Sequence, residues 1–371
     1  MLIVSCTNKS HPQVTVVPPT VTTTQFVPQN TPTVPPTATV TPTLTATPIP
    51  PELPPVFTTT LLNPLDKPHT YIKNTCQELK LRWDPNNSAP GTVVMPIMIH
   101  GVAAGDETPP RSYDTNHNRL EILMRDLNQQ GFVTITSQQL FDFLDRNAKI
   151  PARSVIFVID DRHYADYFNT HFIPFLQQYG WKTVTNAFIA ATDTNNVLWQ
   201  DNTQLAASGW VDYQAHGVIH NIPISENSSD EYINSELLGS IAGLQQHFGV
   251  TPIAYIWPGG GFTSHAVDLA VQAGYKLGFT VNPRGPLMFN WLPLSDVTDP
   301  MRPSYIPEGK VKNLLMVLPR YWVTDADLHI DEVRIIGQQA AEYSQANKET
   351  ELQYYNIVCQ PILGPIPTLA P

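Results

Sequence analysis

The chain has 371 residues, of which 14% are charged, and its formal net charge is -11. This length is ample for one large domain with a sizeable hydrophobic core. An acidic chain without a cluster of lysine and arginine argues against a nucleic-acid partner. It also lacks the uninterrupted apolar run, about eighteen residues or more, that a membrane-spanning helix needs.

The first ten residues carry a short apolar segment that ends in a cysteine. The run Met1-Leu-Ile-Val-Ser-Cys6 resembles the end of a bacterial lipoprotein signal, in which the cysteine receives the lipid. The basic region and full apolar region of such a signal are missing. Residues 1–10 are therefore either a remnant anchor or an accidental match. The anchor reading predicts lipidation at Cys6, an extracytoplasmic location at the bacterial cell surface, and membrane contact only through the lipid.

Residues 11–55 are dominated by proline, threonine and valine and show neither a helical nor an alternating pattern. Such a composition predicts a disordered, extended spacer with polyproline character. A spacer after a lipid anchor would hold a domain away from the membrane, although an ordinary disordered tail has the same composition. Beyond it we expect an N-terminal extension over residues 56–92, a folded barrel over 93–345, and a C-terminal extension and tail over 346–371.

The two remaining cysteines, Cys76 and Cys359, flank the predicted barrel. In an exported protein an even pair of cysteines suggests a disulfide. We therefore predict a bond that ties the two ends of the folded region together.

From residue 93 onward, strand-like runs alternate with amphipathic segments of helix length. The predicted strands cover residues 93–99, 132–135, 154–159, 184–190, 211–215, 253–256, 277–281 and 314–318. The predicted helices cover residues 116–130, 137–144 (with Ser137 as N-cap), 164–179, 230–248 and 325–344. This alternation predicts an α/β fold with a parallel sheet, and seven or eight such units favour a distorted (β/α) barrel.

Polar residues and glycines follow most of these strands directly. They are His100, the pair Asp160 and Asp161, the pair His216 and His220, the run Trp257 to Gly261, and the late Arg320. The two aspartates end a nearly continuous apolar run, where unpaired carboxylates are too costly to bury in a core. Because the carboxyl ends of parallel barrel strands lie on one face, we expect these side chains to meet there.

Two histidines and one carboxylate form a typical divalent metal site with open positions. His216 and His220 are four residues apart, so a single helical turn would direct both imidazoles to the same side. One aspartate would bind the metal, and the other would act as a base. Taken singly, the histidines could be a polar pair on a helix face and the aspartates a helix cap. Their common placement favours the metal site.

These motifs resemble the NodB-type polysaccharide deacetylases, carbohydrate esterase family 4. That family has Thr-Phe-Asp-Asp-Gly, His-Ser/Thr-x-x-His and Arg-x-Pro-Tyr-Gly motifs on a distorted (β/α) barrel. The corresponding segments here are residues 158–162, 216–220 and 256–260. Residues 97–100, 274–281 and the Pro319-Arg320 pair are closest to the poly-N-acetylglucosamine deacetylase branch. The resemblance covers roughly residues 93–339.

The resemblance implies hydrolysis of N-acetyl or O-acetyl groups on a polysaccharide, with metal-bound water as nucleophile. It implies Asp160 as catalytic base and Asp161, His216 and His220 as ligands of a divalent metal, usually Zn²⁺. His100 is the candidate general acid, with His163 as its rival. A backbone N–H in the 259–261 loop, which includes Gly259 and Gly260, would stabilise the oxyanion.

Several positions depart from the family pattern. Arg162 replaces the glycine after the aspartate pair, and it would fill the site or bind an anionic substrate. Gly217 replaces serine or threonine, Asn221 stands where proline is common, and the third motif lacks its arginine, for which Arg320 would compensate. Trp257 would either line the acetyl pocket or belong to the core. These changes leave two alternatives open, a catalytically decayed glycan-binding lipoprotein and another metal-dependent amidase.

Residues 283–312 have no counterpart in a compact barrel. We expect a long loop on the active face, with Phe289, Trp291 and Tyr305 available to stack on sugar rings or to cover the site. Packing of Trp291 against the barrel is the alternative.

Overall fold

The computed structural model describes residues 15–25, 48–191, 196–300 and 306–368. The chain divides into two units, Met1–Thr47 and Pro48–Pro371. In the first unit, residues 15–25 form neither helix nor strand and are exposed. Cys6 and most of the predicted spacer lie outside the described residues. Within the described ranges, no helix has the length and apolar character needed to cross a membrane.

The second unit alternates strands and helices. Its strands are β1 Asp66–His69, β2 Val93–Ile99, β3 Val102–Ala103, β4 Thr115–Asn116, β5 Val133–Thr134, β6 Arg153–Asp160, β7 Val184–Phe188, β8 Val211–Ala215, β9 Ala254–Ile256, β10 Leu277–Phe279, β11 Leu292–Ser295 and β12 Tyr321–Trp322. Its α-helices are α1 Thr75–Trp83, α2 His117–Gln129, α3 Ser137–Arg146, α4 Ala165–His171, α5 Ile173–Tyr179, α6 Asn196–Ser208, α7 Asp230–Phe248, α8 Ser264–Ala273, α9 Ala326–Tyr354 and α10 Gln360–Leu363.

The main sheet is parallel and curls into a barrel. Its strand order is β10-β9-β8-β7-β6-β2-β12, with β5 pairing the start of β6. Leu318 forms a parallel bridge to Phe279 at one edge, and β12, a few residues later, pairs with β2 at the other. The segment from Leu318 to Trp322 therefore links the two edges. The predicted distorted (β/α) barrel is confirmed.

The local sequence explains the elements that place the site. Strand β6 reads Arg-Ser-Val-Ile-Phe-Val-Ile-Asp, and every residue after Arg153 is buried, as expected for a strand covered on both faces. Helix α3 begins with a capping box between Thr136 and Gln139, so the N-cap is Thr136 and not the predicted Ser137. Both elements direct their apolar side chains into one continuous core.

The predicted strand at residues 314–318 is wrong. Residues Leu314–Met316 form a 3-10 helix, which the Asn313 side chain caps by accepting the N–H of Leu315. This turn lies tightly against β10, because a Cβ at Gly278 would come within 2.1 Å of the Met316 carbonyl oxygen. A short apolar run does not by itself distinguish a strand from a buried helical turn. The strand in this region is β12.

Two predicted helices have different limits in the structure. The segment 164–179 breaks at Phe172 into α4 and α5, and a proline stands in the first turn of α5. Because proline lacks an N–H and its ring clashes with the preceding turn, one straight helix cannot continue through it. The last predicted helix extends beyond residue 344 to Tyr354 and continues as a π-helix over Tyr355–Cys359.

The regions before and after the barrel pack onto it. Strand β1 pairs antiparallel with β11, and Cys76 is disulfide-bonded to Cys359 with a Cα–Cα distance of 5.1 Å. The Trp291 side chain is buried and donates to the Phe57 carbonyl oxygen at 2.9 Å. Trp291 therefore has the packing role that was the alternative to sugar stacking, while Tyr305 lies outside the described residues.

Candidate active site

Side chains from three strand ends, together with Arg320, meet at the carboxyl end of the barrel. His100 follows β2, Asp160 ends β6, His216 follows β8, and Arg320 precedes β12. The His100 Nε2 and His216 Nε2 atoms lie 3.6 Å and 4.0 Å from Asp160 Oδ2. The prediction that these strand ends share one site therefore agrees with their positions in the structure.

Asp160 and Arg320 form a fully buried two-point ion pair. Arg320 Nη1 donates to Asp160 Oδ1 at 2.6 Å, and Nη2 donates to Oδ2 at 3.0 Å. Arg320 Nε donates to the Thr280 carbonyl oxygen, which fixes the plane of the guanidinium. Burial alone would raise the pKa of Asp160, but the charge of Arg320 and the neighbouring His216 and His100 outweigh it. The pKa of Asp160 therefore lies below its usual value, and the side chain is a carboxylate at neutral pH.

Asp161, His216 and His220 form a three-residue cluster with the composition of a metal site. One ligand atom from each lies within 4.8 Å of the others. The Nε2 atoms of the two histidines are 3.1 Å apart, and His220 Nε2 is 3.4 Å from Asp161 Oδ1. Asp161 has a positive φ of 77°, so its side chain leaves the strand direction that Asp160 follows. This separates the two adjacent carboxylates between two different sets of partners.

The chemistry of His216 fits a metal ligand. Its Nδ1 is 2.8 Å from the Ile256 carbonyl oxygen, which can only accept, so Nδ1 carries the proton and Nε2 keeps its lone pair. Burial holds the pKa of His216 well below its ordinary value, so the imidazole is neutral. A neutral nitrogen that faces a second imidazole and a carboxylate is the donor set expected for a divalent cation.

The loop between the two histidines does not take the helical turn that would direct both imidazoles to the same side. Residues 216–220 form no helix, and both Gly217 and His220 have positive φ angles, 78° and 64°. The imidazoles nevertheless converge, with ring centroids 4.6 Å apart. An irregular loop therefore brings the two imidazoles together without a helical turn.

The two candidate acids occupy different environments. His100 stacks on Trp322 and meets the edge of Tyr113, with its side chain 17% exposed beside Asp160. His163 stacks on Tyr167 and donates from Nε2 to the Asp160 carbonyl oxygen at 2.9 Å. Burial is the largest influence on His163 and lowers its pKa. His163 thus supports the backbone of the aspartate pair, whereas His100 approaches the Asp160 carboxylate itself.

The third motif differs from its predicted role. Trp257 is fully buried, and its Nε1 donates to the Met316 carbonyl oxygen at 2.7 Å, so it is a core aromatic. The N–H groups of Gly260 and Gly261 donate to the Trp257 and Pro258 carbonyl oxygens within a tight turn. Two of the three amides predicted for the oxyanion are therefore engaged elsewhere. Gly259 is exposed on the same turn.

Arg162 is half-buried and directly follows Asp161.

A second arginine, which the motif comparison missed, also lies close to Asp161. Arg111 Nη1 is 3.8 Å from Asp161 Oδ2, and its Nε donates to Asp114 at 2.8 Å. Its guanidinium carbon is 4.7 Å from the Tyr113 ring centroid. Nothing in the local sequence marks Arg111, because a long loop brings it to the site.

Two buried polar residues that sequence reasoning also missed hold the ligand loops. Asn186 on β7 donates from Nδ2 to the carbonyl oxygens of Ile159 and Asp161, at 2.9 Å and 3.3 Å. Glu236 on α7 is 1% exposed and accepts backbone N–H groups from the histidine loop. The available signal was an asparagine in a buried strand and an acid on the buried face of a helix.

The fold and the site together define a parallel α/β barrel with an Asp-His-His cluster beside a buried Asp–Arg pair. Residues 147–278 match the family model described as polysaccharide deacetylase. The matched segment contains both aspartates and both histidines of the site. This match confirms the predicted resemblance of residues 147–278 to polysaccharide deacetylases. No curated protein sequence matches the chain.

Solved structures with similar folds carry deacetylase names. The deacetylase PplD of Streptococcus pyogenes in complex with acetate is 20% identical, with 62% of this chain and 91% of that chain covered and a TM-score of 0.48. A de-N-acetylase from Aggregatibacter actinomycetemcomitans is 18% identical, with 62% and 94% covered and a TM-score of 0.47. IcaB from Ammonifex degensii is 16% identical, with 67% and 97% covered and a TM-score of 0.48.

Proposed function

We propose that this protein is a metal-dependent deacetylase that hydrolyses acetyl groups, N-linked or O-linked, on a polysaccharide. The observation that carries the proposal is the convergence of Asp161, His216 and His220 within 4.8 Å, beside the buried Asp160–Arg320 pair. The donor set fits Zn²⁺ or another divalent cation, because two imidazole nitrogens and one carboxylate leave open positions for substrate and water.

The bound cation would supply Lewis acidity, which lowers the pKa of a water molecule and polarises an acetyl carbonyl. The chain's own residues would move the protons. Asp160 is ionised and held in place by Arg320, so it would accept a proton from the attacking water. His100, close to Asp160 and partly exposed, would donate a proton to the departing amine.

The test is acetate release from acetylated glycan polymers by the Zn²⁺-loaded protein. We expect release by the wild type, none by Asp160→Asn, and none by Asp161→Asn, which would also lose the metal. Release by Asp160→Asn at the wild-type rate would contradict the assignment of the base. Acetate release from polymers with only N-acetyl or only O-acetyl groups would define the bond that is hydrolysed.

A second candidate function is glycan binding without turnover on the same barrel. Arg162 occupies the glycine position after the aspartate pair, and two of the three predicted oxyanion amides are engaged in a turn. Retention on an acetylated glycan column, bound metal and no acetate release would favour this function. Hydrolysis of small amides with no release from any glycan would instead indicate another metal-dependent amidase.

The Cys6 motif and the proline-rich residues after it support attachment to the bacterial cell surface through a lipid. The anchor would hold the enzyme close to acetylated surface polysaccharide. Metabolic labelling of the full chain with a fatty-acid analogue, compared with Cys6→Ser, tests this location. Equal labelling of both forms would contradict it.

A further inference from the structure

The loop that carries the two candidate histidine ligands wraps around one buried carboxylate. Glu236 Oε2 accepts the N–H of Val218 at 2.9 Å, and Oε1 accepts the N–H of Ile219 at 2.8 Å. Oε2 also lies 3.4 Å from the His220 backbone nitrogen. Three successive amides, two between the histidines and that of His220 itself, therefore face one side chain, and both carboxylate oxygens act as acceptors.

The backbone of this loop is strained, so the loop depends on hydrogen bonds that fix its conformation. Gly217 and His220 have φ angles of 78° and 64°, and positive φ is unfavourable for a residue with a Cβ such as His220. Left unpaired, the amide of the half-buried Val218 would lose a hydrogen bond that compensates for its partial removal from water. Glu236, which is 1% exposed, provides that bond from helix α7.

Gly217 is required by the same carboxylate. A Cβ at this position would lie 2.4 Å from Glu236 Oε2, closer than any real contact. The carboxylate therefore occupies the space that a side chain at residue 217 would need. This explains in physical terms why the first histidine is followed here by glycine.

We propose that Glu236 is a positioning residue for the metal site, which sets the separation of the His216 and His220 imidazoles by holding the loop between them. This inference rests on the proposed function, because it concerns the affinity of that site for a divalent cation. Residues that orient metal ligands typically contribute about 10–100-fold to metal affinity.

The test uses the isosteric change Glu236→Gln in the full chain. An amide has one oxygen, so at least one of the loop N–H groups must face an NH₂ donor. We expect Zn²⁺ affinity, measured by competition with a chromophoric chelator, to fall by about 10–100-fold. The visible spectrum of the Co²⁺-loaded variant should also change, because it reports the geometry of the ligands rather than the stability of the fold.

Glu231→Gln is the matched control, since Glu231 lies on the same helix and is exposed. We expect its Zn²⁺ affinity to stay within about twofold of the wild type. Wild-type affinity and an unchanged Co²⁺ spectrum in Glu236→Gln would overturn the inference while leaving the proposed function intact. Failure of the wild type to bind any divalent cation would overturn the proposed function, and the inference with it.

A measurement on the wild type covers the case in which Glu236→Gln does not fold. In the metal-free protein, hydrogen exchange at the Val218 and Ile219 amides should be strongly slowed, because both are bonded to a buried acceptor. Exchange at the rate of an exposed loop would show that Glu236 does not hold the loop, and it would contradict the inference.

Discussion

Arg320 and Asp160 lie 160 residues apart in sequence, yet their side chains form two parallel hydrogen bonds of 2.6 Å and 3.0 Å in the core. A planar guanidinium matches a carboxylate at two points, whereas an ammonium group acts as a single point charge. The pair therefore fixes both the charge and the orientation of the candidate base.

Removing one partner should destabilise the protein strongly. Arg320→Met leaves the Asp160 carboxylate buried and uncompensated, so we expect the free energy of unfolding to fall by about 3–5 kcal/mol. Adding Asp160→Asn removes the buried charge. The unfolding free energy of the double variant should therefore fall by clearly less than the sum of the losses in the two single variants. Urea unfolding of all four proteins measures this coupling. Arg334→Met, in an exposed pair with Asp331, is the control; additive losses at residues 160 and 320 would argue against the pair.

His100→Gln should impair amide hydrolysis far more than ester hydrolysis. An amine leaves only when protonated, so kcat/KM for an N-acetyl glycan should fall by about 10²–10⁴-fold. An aryl acetate ester loses a stable phenolate and should be hydrolysed at nearly the wild-type rate, with bound metal unchanged. His265→Gln, at an exposed residue, is the matched control. Equal losses on both substrates would show that His100 does not act as the general acid.

Changes to the cluster should remove the metal without unfolding the barrel. Asp161→Asn and His220→Gln each weaken one candidate ligand of the three-residue cluster. The metal content after dialysis should therefore fall well below that of the wild type. Adding a chelator should lower the Tm of the wild type and leave both variants unchanged, because a bound cation stabilises only the state that binds it. Asp166→Asn, at an exposed residue, should retain the metal. A wild-type Tm that does not respond to the chelator would contradict the site.

The disulfide should stabilise the folded chain through the long loop that it closes. Cys76 and Cys359 are 283 residues apart, and the bond restricts the unfolded chain. Cys76→Ala with Cys359→Ala should reduce the free energy of unfolding by roughly 2–5 kcal/mol. A thiol reductant should destabilise the wild type and leave the double variant unaffected. Titration of two free thiols at these positions in the unreduced protein would disprove the bond.

Sequence patterns predicted the features of this protein that depend on neighbours in the chain. The apolar run before Asp160 identified a buried strand, because five consecutive apolar residues, Val155 to Ile159, must be covered on both faces. The aspartate pair and the His-x-x-x-His spacing indicated that these side chains lie near one another, because parallel strands bring their carboxyl ends to one face. The same logic predicted the barrel itself.

Other features depended on contacts between distant parts of the chain. A short apolar run at residues 314–318 looked like a strand, but its first three residues form a 3-10 turn that packs closely against Gly278. The sequence left Trp257 either as a pocket wall or as a core aromatic, and only the structure shows its Nε1 donating to a carbonyl oxygen in the core. Neither outcome is encoded in local periodicity.

The sequence by itself determined most strands of the main sheet, the barrel and the residue types of the site, since these follow from hydrophobic pattern and chain order. Only the tertiary structure decided how the site residues are held. Arg320 orients Asp160, Asn186 binds the carbonyl oxygens beside Asp161, and the Glu236 carboxylate binds the histidine loop. The physical reason is that a buried polar group must be paired, and which distant group pairs with it is fixed only when the chain has folded.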